Sequence, residues 1–144
     1  METDTMGRVL TEARIENLKD LWAVEEGRLT PDQVRRVTVT DALVDTGATM
    51  LSLPTRWIRQ LGLTRTGRRR VNSSLGVGEA DVYEAVRLTI QGRACPLDVL
   101  EVPDSVPVLI GQLPLERLDF VVDPQSRRLI GNPAHGGEYV IEAY

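Results

Sequence analysis

The alternation of apolar and polar residues predicts a chain built mostly from short strands. Between Val34 and Val44, valines alternate with threonines before the apolar run Ala42-Leu43-Val44, a pattern typical of a half-buried strand. Other strands are predicted over residues 71–75, 80–90, 94–102, 108–110, 120–123 and 128–131, and turns containing Gly or Pro separate most of them. Many short strands at turn-marked intervals favour an all-β, barrel-like domain.

Two stretches predict short helices within this β pattern. Residues 52–62 carry Pro54 near the start and Gly62 at the end, which suit an early helical position and a C-terminal cap. Residues 112–118 predict a second short helix. The fold class is therefore mainly β with one or two short helices.

The two ends of the chain carry weaker signals. Residues 8–17 fit a strand or a short helix, and residues 18–28 either continue that element or form a second strand and a turn. Residues 138–144 predict a final strand. We expect a single domain over residues 1–144, with N-terminal strands or an extension over residues 1–30 and a tail or strand over residues 132–144.

Composition excludes several classes of protein. No apolar run approaches the roughly 18–20 residues of a membrane span, and the first residues lack the features of a signal peptide, so a cytoplasmic protein is expected. The single cysteine, Cys95, suits a reducing compartment. The net charge of −4 argues against a nucleic-acid partner. The run Arg68-Arg69-Arg70 is interpreted as a solvated loop before a strand, with substrate steering or RNA contact as alternatives.

The most informative motif is Asp45-Thr46-Gly47, which directly follows the apolar run that ends at Val44. Burying a lone carboxylate costs several kcal/mol unless it is paired or protonated. A carboxylate that shares a proton with a second carboxylate and activates water makes sense of that cost. The small residue Ala48 follows, and a second apolar element, Leu109-Ile110-Gly111, runs directly into the predicted helix at residues 112–118.

This combination resembles the retropepsin-like aspartic proteases, and among them the cellular or bacterial-type members, whose subunits carry one Asp-Thr-Gly. The resemblance covers about residues 36–131. It implies an acid protease barrel with one lobe per chain. It also implies that Asp45 is catalytic, that Thr46 braces the paired loops, that Gly47 allows close backbone approach, and that Ala48 leaves room for substrate.

Two further elements take roles from the resemblance. Leu109, Ile110 and Gly111 correspond to the element that packs behind the catalytic loop. The hairpin tip occupies the position of the flap that closes over bound peptide, and it consists of Leu75, Gly76, Val77 and Gly78.

An aspartic protease needs two carboxylates close enough to share one proton. The chain has no second Asp-Thr-Gly and is about half the length of a two-lobed enzyme. A two-fold homodimer supplies the missing group, because a residue near the axis meets its own copy. The expected partners are a second copy of the chain and a peptide or protein substrate, with no cofactor, metal, nucleic acid or membrane.

Two alternatives to an active protease remain open at this point. One is a dimeric retropepsin-like binding or regulatory module with little turnover. The other is an unrelated β-domain in which Asp45 is a turn residue that bonds its own backbone. Elsewhere, His135 is interpreted as an exposed loop histidine and Cys95 as a buried structural thiol.

Overall fold

The computed structural model describes residues 8–73 and 76–143. Its strands are β1 (Leu10–Asn17), β2 (Arg36–Val44), β3 (Leu51–Pro54), β4 (Thr64–Ser73), β5 (Gly76–Ile90), β6 (Arg93–Val102), β7 (Leu109–Ile110), β8 (Phe120–Asp123) and β9 (Arg128–Gly131). Its α-helices are α1 (Leu18–Glu25), α2 (Thr55–Leu61) and α3 (Gln112–Leu118), with single 3-10 turns at Pro31–Gln33 and Pro133–His135.

Six strands close into a barrel. The main sheet has the order β1-β2-β7-β3-β6-β5-β4, and β1 also pairs with β5, which closes the ring of β1, β2, β7, β3, β6 and β5. In this ring each of the six strands has a pairing partner on both sides over at least part of its length. β4 pairs with β5 outside the ring, and β8 with β9 forms a separate hairpin. The prediction of an all-β barrel is confirmed.

The core fills the barrel because alternate residues of each strand point inward. Ile15, Leu51, Leu88 and Ile110 come from four different strands and are each at most 1% exposed. Leu118 of α3 is fully buried against the same cluster. Along β2, Val37 and Val39 are buried and Thr38 and Thr40 are exposed, so the predicted alternation is correct over that stretch, and an irregularity before Ala42 interrupts it.

Of the two alternatives left open for residues 18–28, the second strand is wrong, because residues 18–25 form helix α1. The described chain therefore has three short α-helices where one or two were expected. The Asn17 side chain accepts a hydrogen bond from the Asp20 backbone N–H at 3.0 Å, which caps the helix. The same side chain donates from Nδ2 to Leu61 O at 2.7 Å, and the Arg35 guanidinium bonds the Asp20 carboxylate. These contacts to distant residues select a helix where the local pattern is ambiguous.

Three other expectations need correction. Residues 52–54 belong to β3, so the helix begins at Thr55 and Pro54 is its N-cap residue. The run Arg68–Arg70 lies within β4 and not in a loop. Residues 138–143 form no strand. In the described part of the chain, no helix is both long enough and apolar enough to cross a membrane.

Candidate active site

Asp45 lies where strand β2 gives way to the loop that leads to β3. Its backbone N–H donates to Ile110 O at 3.0 Å, and Leu43 N–H donates to Val108 O at 2.8 Å, so β2 and the start of the loop are hydrogen-bonded to the β7 segment. β7 runs parallel to β2 and antiparallel to β3. The strand that precedes the loop and the strand that follows it are thus both fastened to β7.

Gly111 allows the chain after β7 to approach this loop closely. It is buried, and a Cβ at this position would lie 2.5 Å from Met50 O and 2.8 Å from Ala48 O. The next two backbone N–H groups, of Gln112 and Leu113, donate to Ala48 O and Thr49 O at 2.8 Å each. The first N–H groups of a helix lack partners within the helix, and here the loop carbonyls satisfy two of them.

One local hydrogen bond orients the Asp45 carboxylate. Its Oδ1 accepts the Gly47 backbone N–H at 3.0 Å, the local bond that a turn aspartate makes. No side chain in residues 8–73 or 76–143 forms a hydrogen bond or ion pair with it. Asp45 and Ala48 are half-buried, whereas Thr46 and Gly47 are exposed. The arrangement presents a carboxylate on a backbone-anchored loop, open to solvent or to another molecule.

The strand registers place a row of residues on the same side of the sheet as Asp45. Val44 and Ile110 form a register pair and pack with the core, so their neighbours Leu43 and Leu109 face away from it. Each of the six barrel strands contributes one residue to this row, and each residue is the register partner of the next. In strand order they are Leu10, Leu43, Leu109, Ser52, Leu100 and Val82. We call this side of the sheet, opposite the barrel core, the Asp45 face.

The Asp45 face provides apolar contact surface beside the carboxylate. Leu43 and Leu109 are half-buried and Leu10 is 50% exposed. Sequence reasoning did not single out Leu43 or Leu10. For Leu43 the signal was present, since alternation puts the residue two positions before Asp45 on the same side of the strand.

Three of the four residues predicted as a flap begin strand β5, which pairs with β4 outside the barrel ring. Leu75 lies outside the described residues. Gly76, Val77 and Gly78 are all exposed, and Gly76 has a φ of +113°, a conformation that favours glycine. A Cβ at Gly76 or Gly78 would meet no atom within 4 Å.

His135 is not the exposed loop histidine that was expected. Its Nδ1 lies 2.7 Å from Asp119 Oδ2 and its side chain is 18% exposed. The Asp119 carboxylate, and to a lesser degree Glu142, raise the pKa of His135 above its usual value. Sequence gave no hint of this pair, since the two residues are far apart along the chain.

Other chemistry-bearing groups lie apart from Asp45. Cys95 is 5% exposed, and burial raises the pKa of its thiol, so it is a buried structural thiol as predicted. No group of three metal-ligating side chains occurs within the described residues. Two surface depressions, of about 470 and 650 Å³, lie beside α1 and beside the β5–β6 turn, and neither includes Asp45.

Comparison with known proteins gives one finding that bears on this site. No curated protein matches the chain. A family model described as aspartyl protease matches residues 32–113, more than half of the chain, including Asp45, the hairpin and β7. The interpretation of Asp45-Thr46-Gly47 as a coincidence in an unrelated β-domain is therefore wrong. The chain belongs to this aspartyl protease family of the retropepsin-like clan.

Proposed function

We propose that the protein is a homodimeric aspartic endopeptidase in which Asp45 and its copy in a second subunit form the catalytic dyad. Membership of an aspartyl protease family supports hydrolysis of peptide bonds in general. The observation that carries the dimeric form is the Asp45 carboxylate itself. It is held on an anchored loop, without a side-chain partner among the described residues, in a chain with a single Asp-Thr-Gly.

The chemistry requires two carboxylates that share one proton. Two carboxylates about 3 Å apart cannot both be ionised. The ionised member takes a proton from water, which attacks the scissile carbonyl, and the protonated member donates a hydrogen bond to the carbonyl oxygen. Their apparent pKa values then belong to the pair and not to either residue.

The loop suits a group that must be positioned accurately. Backbone hydrogen bonds to Ile110 and to the start of α3 hold it on two sides, and a fixed carboxylate needs little reorganisation during the reaction. Thr46 is exposed next to Asp45, so in the dimer we expect its hydroxyl to bond the partner's loop. Gly47 allows the two loops to approach, and Ala48 leaves room for substrate.

The surroundings of Asp45 suit an extended peptide and a second subunit. Leu43 and Leu109 on the Asp45 face supply apolar contacts for substrate side chains. Leu10, which pairs with Leu43, and Leu113, whose N–H bonds the loop at Thr49, are 50% and 45% exposed, and exposed apolar residues on either side of the loop suit contact with a second subunit. The hairpin tip at Gly76–Gly78 serves as the flap, whose closure excludes water from the reaction.

We propose one protease domain for the whole chain. The family match begins at residue 32, but β1, which precedes it, pairs with both β2 and β5 and closes the barrel. The mechanism uses no cofactor or metal.

The direct test is the variant Asp45→Asn. We expect it to reduce the cleavage of a peptide library at acidic to neutral pH by at least about a thousandfold, because an amide cannot take a proton from water. The matched control is Asp41→Asn, an exposed carboxylate four residues earlier, which should retain activity. Sedimentation and thermal unfolding check that both variants keep the fold and the dimer. Cleavage by Asp45→Asn would contradict the proposal.

Mixing subunits tests the dyad separately. When wild-type and Asp45→Asn chains are mixed in equal amounts and allowed to exchange, random pairing leaves about a quarter of the dimers with two aspartates. A site within one subunit would leave half of the activity instead. A verified dimer that binds a statine-type peptide without turnover would favour the binding-module alternative.

A further inference from the structure

The β4–β5 hairpin has two faces of different chemistry. Residues paired directly across an antiparallel ladder lie on the same face of the sheet. The register runs without interruption from the Gly67–Val82 pair to the Ser73–Gly76 pair. One face therefore carries Gly67, Arg69, Val71, Gly78, Ala80 and Val82, and the other carries Arg68, Arg70, Asn72, Val77, Glu79 and Asp81.

The strand registers identify which of these faces continues the Asp45 face. Val82 pairs with Leu100, and both belong to the row that ends at Leu43 beside Asp45. The adjacent residue Tyr83 pairs with Val99, which is fully buried in the barrel core. The hairpin face that carries Arg69 is thus continuous with the Asp45 face, and the face that carries Arg68 and Arg70 is on the core side of the sheet.

Ion pairs occupy the far face of the hairpin. Arg68 Nε donates to Asp81 Oδ1 at 2.9 Å and Arg68 Nη1 donates to Glu79 Oε1 at 3.2 Å, while Arg65 lies 3.0 Å from Asp81. Arg68 lowers the pKa of Asp81. Glu79 and Asp81, the two carboxylates between residues 76 and 82, both lie on this face, so neither can pair with Arg69 on the opposite face.

Arg69 lies on the Asp45 face without a carboxylate beside it. It is exposed, and it has no hydrogen bond or ion pair with any residue that the structure describes. Its cross-strand neighbour is Ala80, and a Cβ added at Gly67 or Gly78 would meet nothing within 4 Å. The surface around the guanidinium is therefore open, and an arginine keeps its charge at any working pH.

We infer that Arg69 selects acidic side chains in the peptide substrate. This inference rests on the proposed endopeptidase function. A substrate strand that passes between the hairpin and Asp45 presents alternate side chains to the hairpin, and a guanidinium binds a carboxylate through two parallel hydrogen bonds. A two-fold dimer has two such hairpins. The acidic preference therefore applies at one position on each side of the scissile bond, at equal distances from it.

The test compares Glu with Gln at each of the five positions on either side of the scissile bond in a cleavable peptide. For the wild-type dimer we expect a kcat/KM about five- to tenfold higher for Glu at one position on each side, as for a partly exposed charged pair. The preference should weaken in high salt, because exposed charges are screened. Arg69→Gln should abolish it, and Arg69→Glu should replace it with a preference for Lys.

The matched control is Arg70→Gln, which removes the same charge from the opposite face of the same hairpin. It should keep the wild-type preference and the wild-type rate on neutral peptides. An equal loss in Arg69→Gln and Arg70→Gln would overturn the inference, because the effect would then be one of overall charge. Cleavage with no Arg69-dependent preference at any position would also overturn it while leaving the proposed function intact.

Binding of statine-type peptides that carry Glu or Gln at the selected positions separates the two proposals. If no peptide is cleaved but the Glu form binds more tightly in an Arg69-dependent way, the assignment of Arg69 stands and the endopeptidase function fails. If the two forms bind equally, or if neither binds, the inference about Arg69 is overturned.

Discussion

The two ends of helix α3 hold two segments of the chain by different chemistry. The Asp45 loop meets the N-terminal end through backbone hydrogen bonds, from Gln112 and Leu113 to the carbonyls of Ala48 and Thr49. The C-terminal segment, residues 132–142, meets the other end mainly through side chains. The first attachment depends on shape and backbone geometry, and the second depends on charged groups.

Arg93 is the centre of the second attachment. Its Nη1 donates to Leu118 O at 3.0 Å and to Asp119 O at 2.8 Å, and its Nη2 donates to Gly137 O at 2.6 Å. The guanidinium also lies over the rings of Phe120 and Tyr139, 4.6 and 5.0 Å from their centroids. A cation suits the carbonyl-rich C-terminal end of a helix.

Asp119 adds a titratable link to the same segment. Its Oδ2 lies 2.7 Å from His135 Nδ1 and accepts the Val140 backbone N–H at 3.2 Å. The Asp45 loop is held by backbone groups, which do not titrate, so a change in side-chain charge should not loosen it. The C-terminal segment is held mainly by side chains, so solution conditions should affect it first.

The largest effect is expected from Gly111→Ala, which disturbs the close packing of helix α3 against the Asp45 loop. The new Cβ would lie 2.5–2.8 Å from backbone atoms of residues 48–50, and backbone cannot rotate away as a side chain can. We expect the free energy of unfolding to fall by about 2–3 kcal/mol and cleavage to fall with it, because the loop bearing Asp45 must shift.

Urea denaturation measures the loss of unfolding free energy in Gly111→Ala, and a peptide assay measures the loss of cleavage. Gly67→Ala is the stability control, since a Cβ there would meet nothing within 4 Å, and it should change the free energy of unfolding by less than about 1 kcal/mol. Wild-type stability and activity in Gly111→Ala would show that the close approach is not required.

A smaller effect is expected from Arg93→Met, which removes the charged centre of the C-terminal attachment. Loss of its hydrogen bonds and ring contacts should cost about 2 kcal/mol. Hydrogen exchange at residues 137–142 should rise more than exchange in β2 or β7. Arg128→Met, at an exposed position of β9, serves as the control. Equal exchange in the two variants would contradict the role assigned to Arg93.

The smallest effect is expected from pH acting on His135 and Asp119. Asp119 raises the pKa of His135 above 6.5, and His135 lowers the pKa of Asp119 below 3.8. The charged His135 contributes fully to holding the C-terminal segment below pH 6.5, and this contribution is lost as the pH rises through the raised pKa of His135. The ionised Asp119 contributes fully above pH 3.8, and its contribution is lost as the pH falls through the lowered pKa of Asp119. The attachment is therefore strongest between about pH 4 and 6.5.

Limited proteolysis of the C-terminal segment across this range measures the effect. We expect the segment to become more susceptible above pH 6.5 in the wild type, and His135→Gln to lose this dependence. Glu142→Gln should retain most of it, because Glu142 is 76% exposed and more distant from the ring, at 3.3 Å. A wild-type profile that is flat from pH 5 to 8 would contradict the titratable link.

Periodicity predicted the strands well and the helices less well. The bounds of β8 and β9 follow directly from the apolar runs on either side of their turn. The pattern left residues 18–28 undecided between a helix and a strand, because contacts from Asn17 and Asp20 to distant residues stabilise helix α1, whereas its own sequence fits more than one element. Arg68–Arg70 looked like a loop because a strand outside the barrel buries neither face and so lacks alternation.

By itself, the sequence determined the strand-rich character of this protein, the Asp-Thr-Gly loop and the apolar element that accompanies it, because these depend on local periodicity and residue type. Only the tertiary structure decided that β7 lies between β2 and β3, that Leu109 and Arg69 share a face with Asp45, and that His135 meets Asp119. The physical reason is that register and facing come from pairing between distant strands, and a single bulge reverses which side chains point inward.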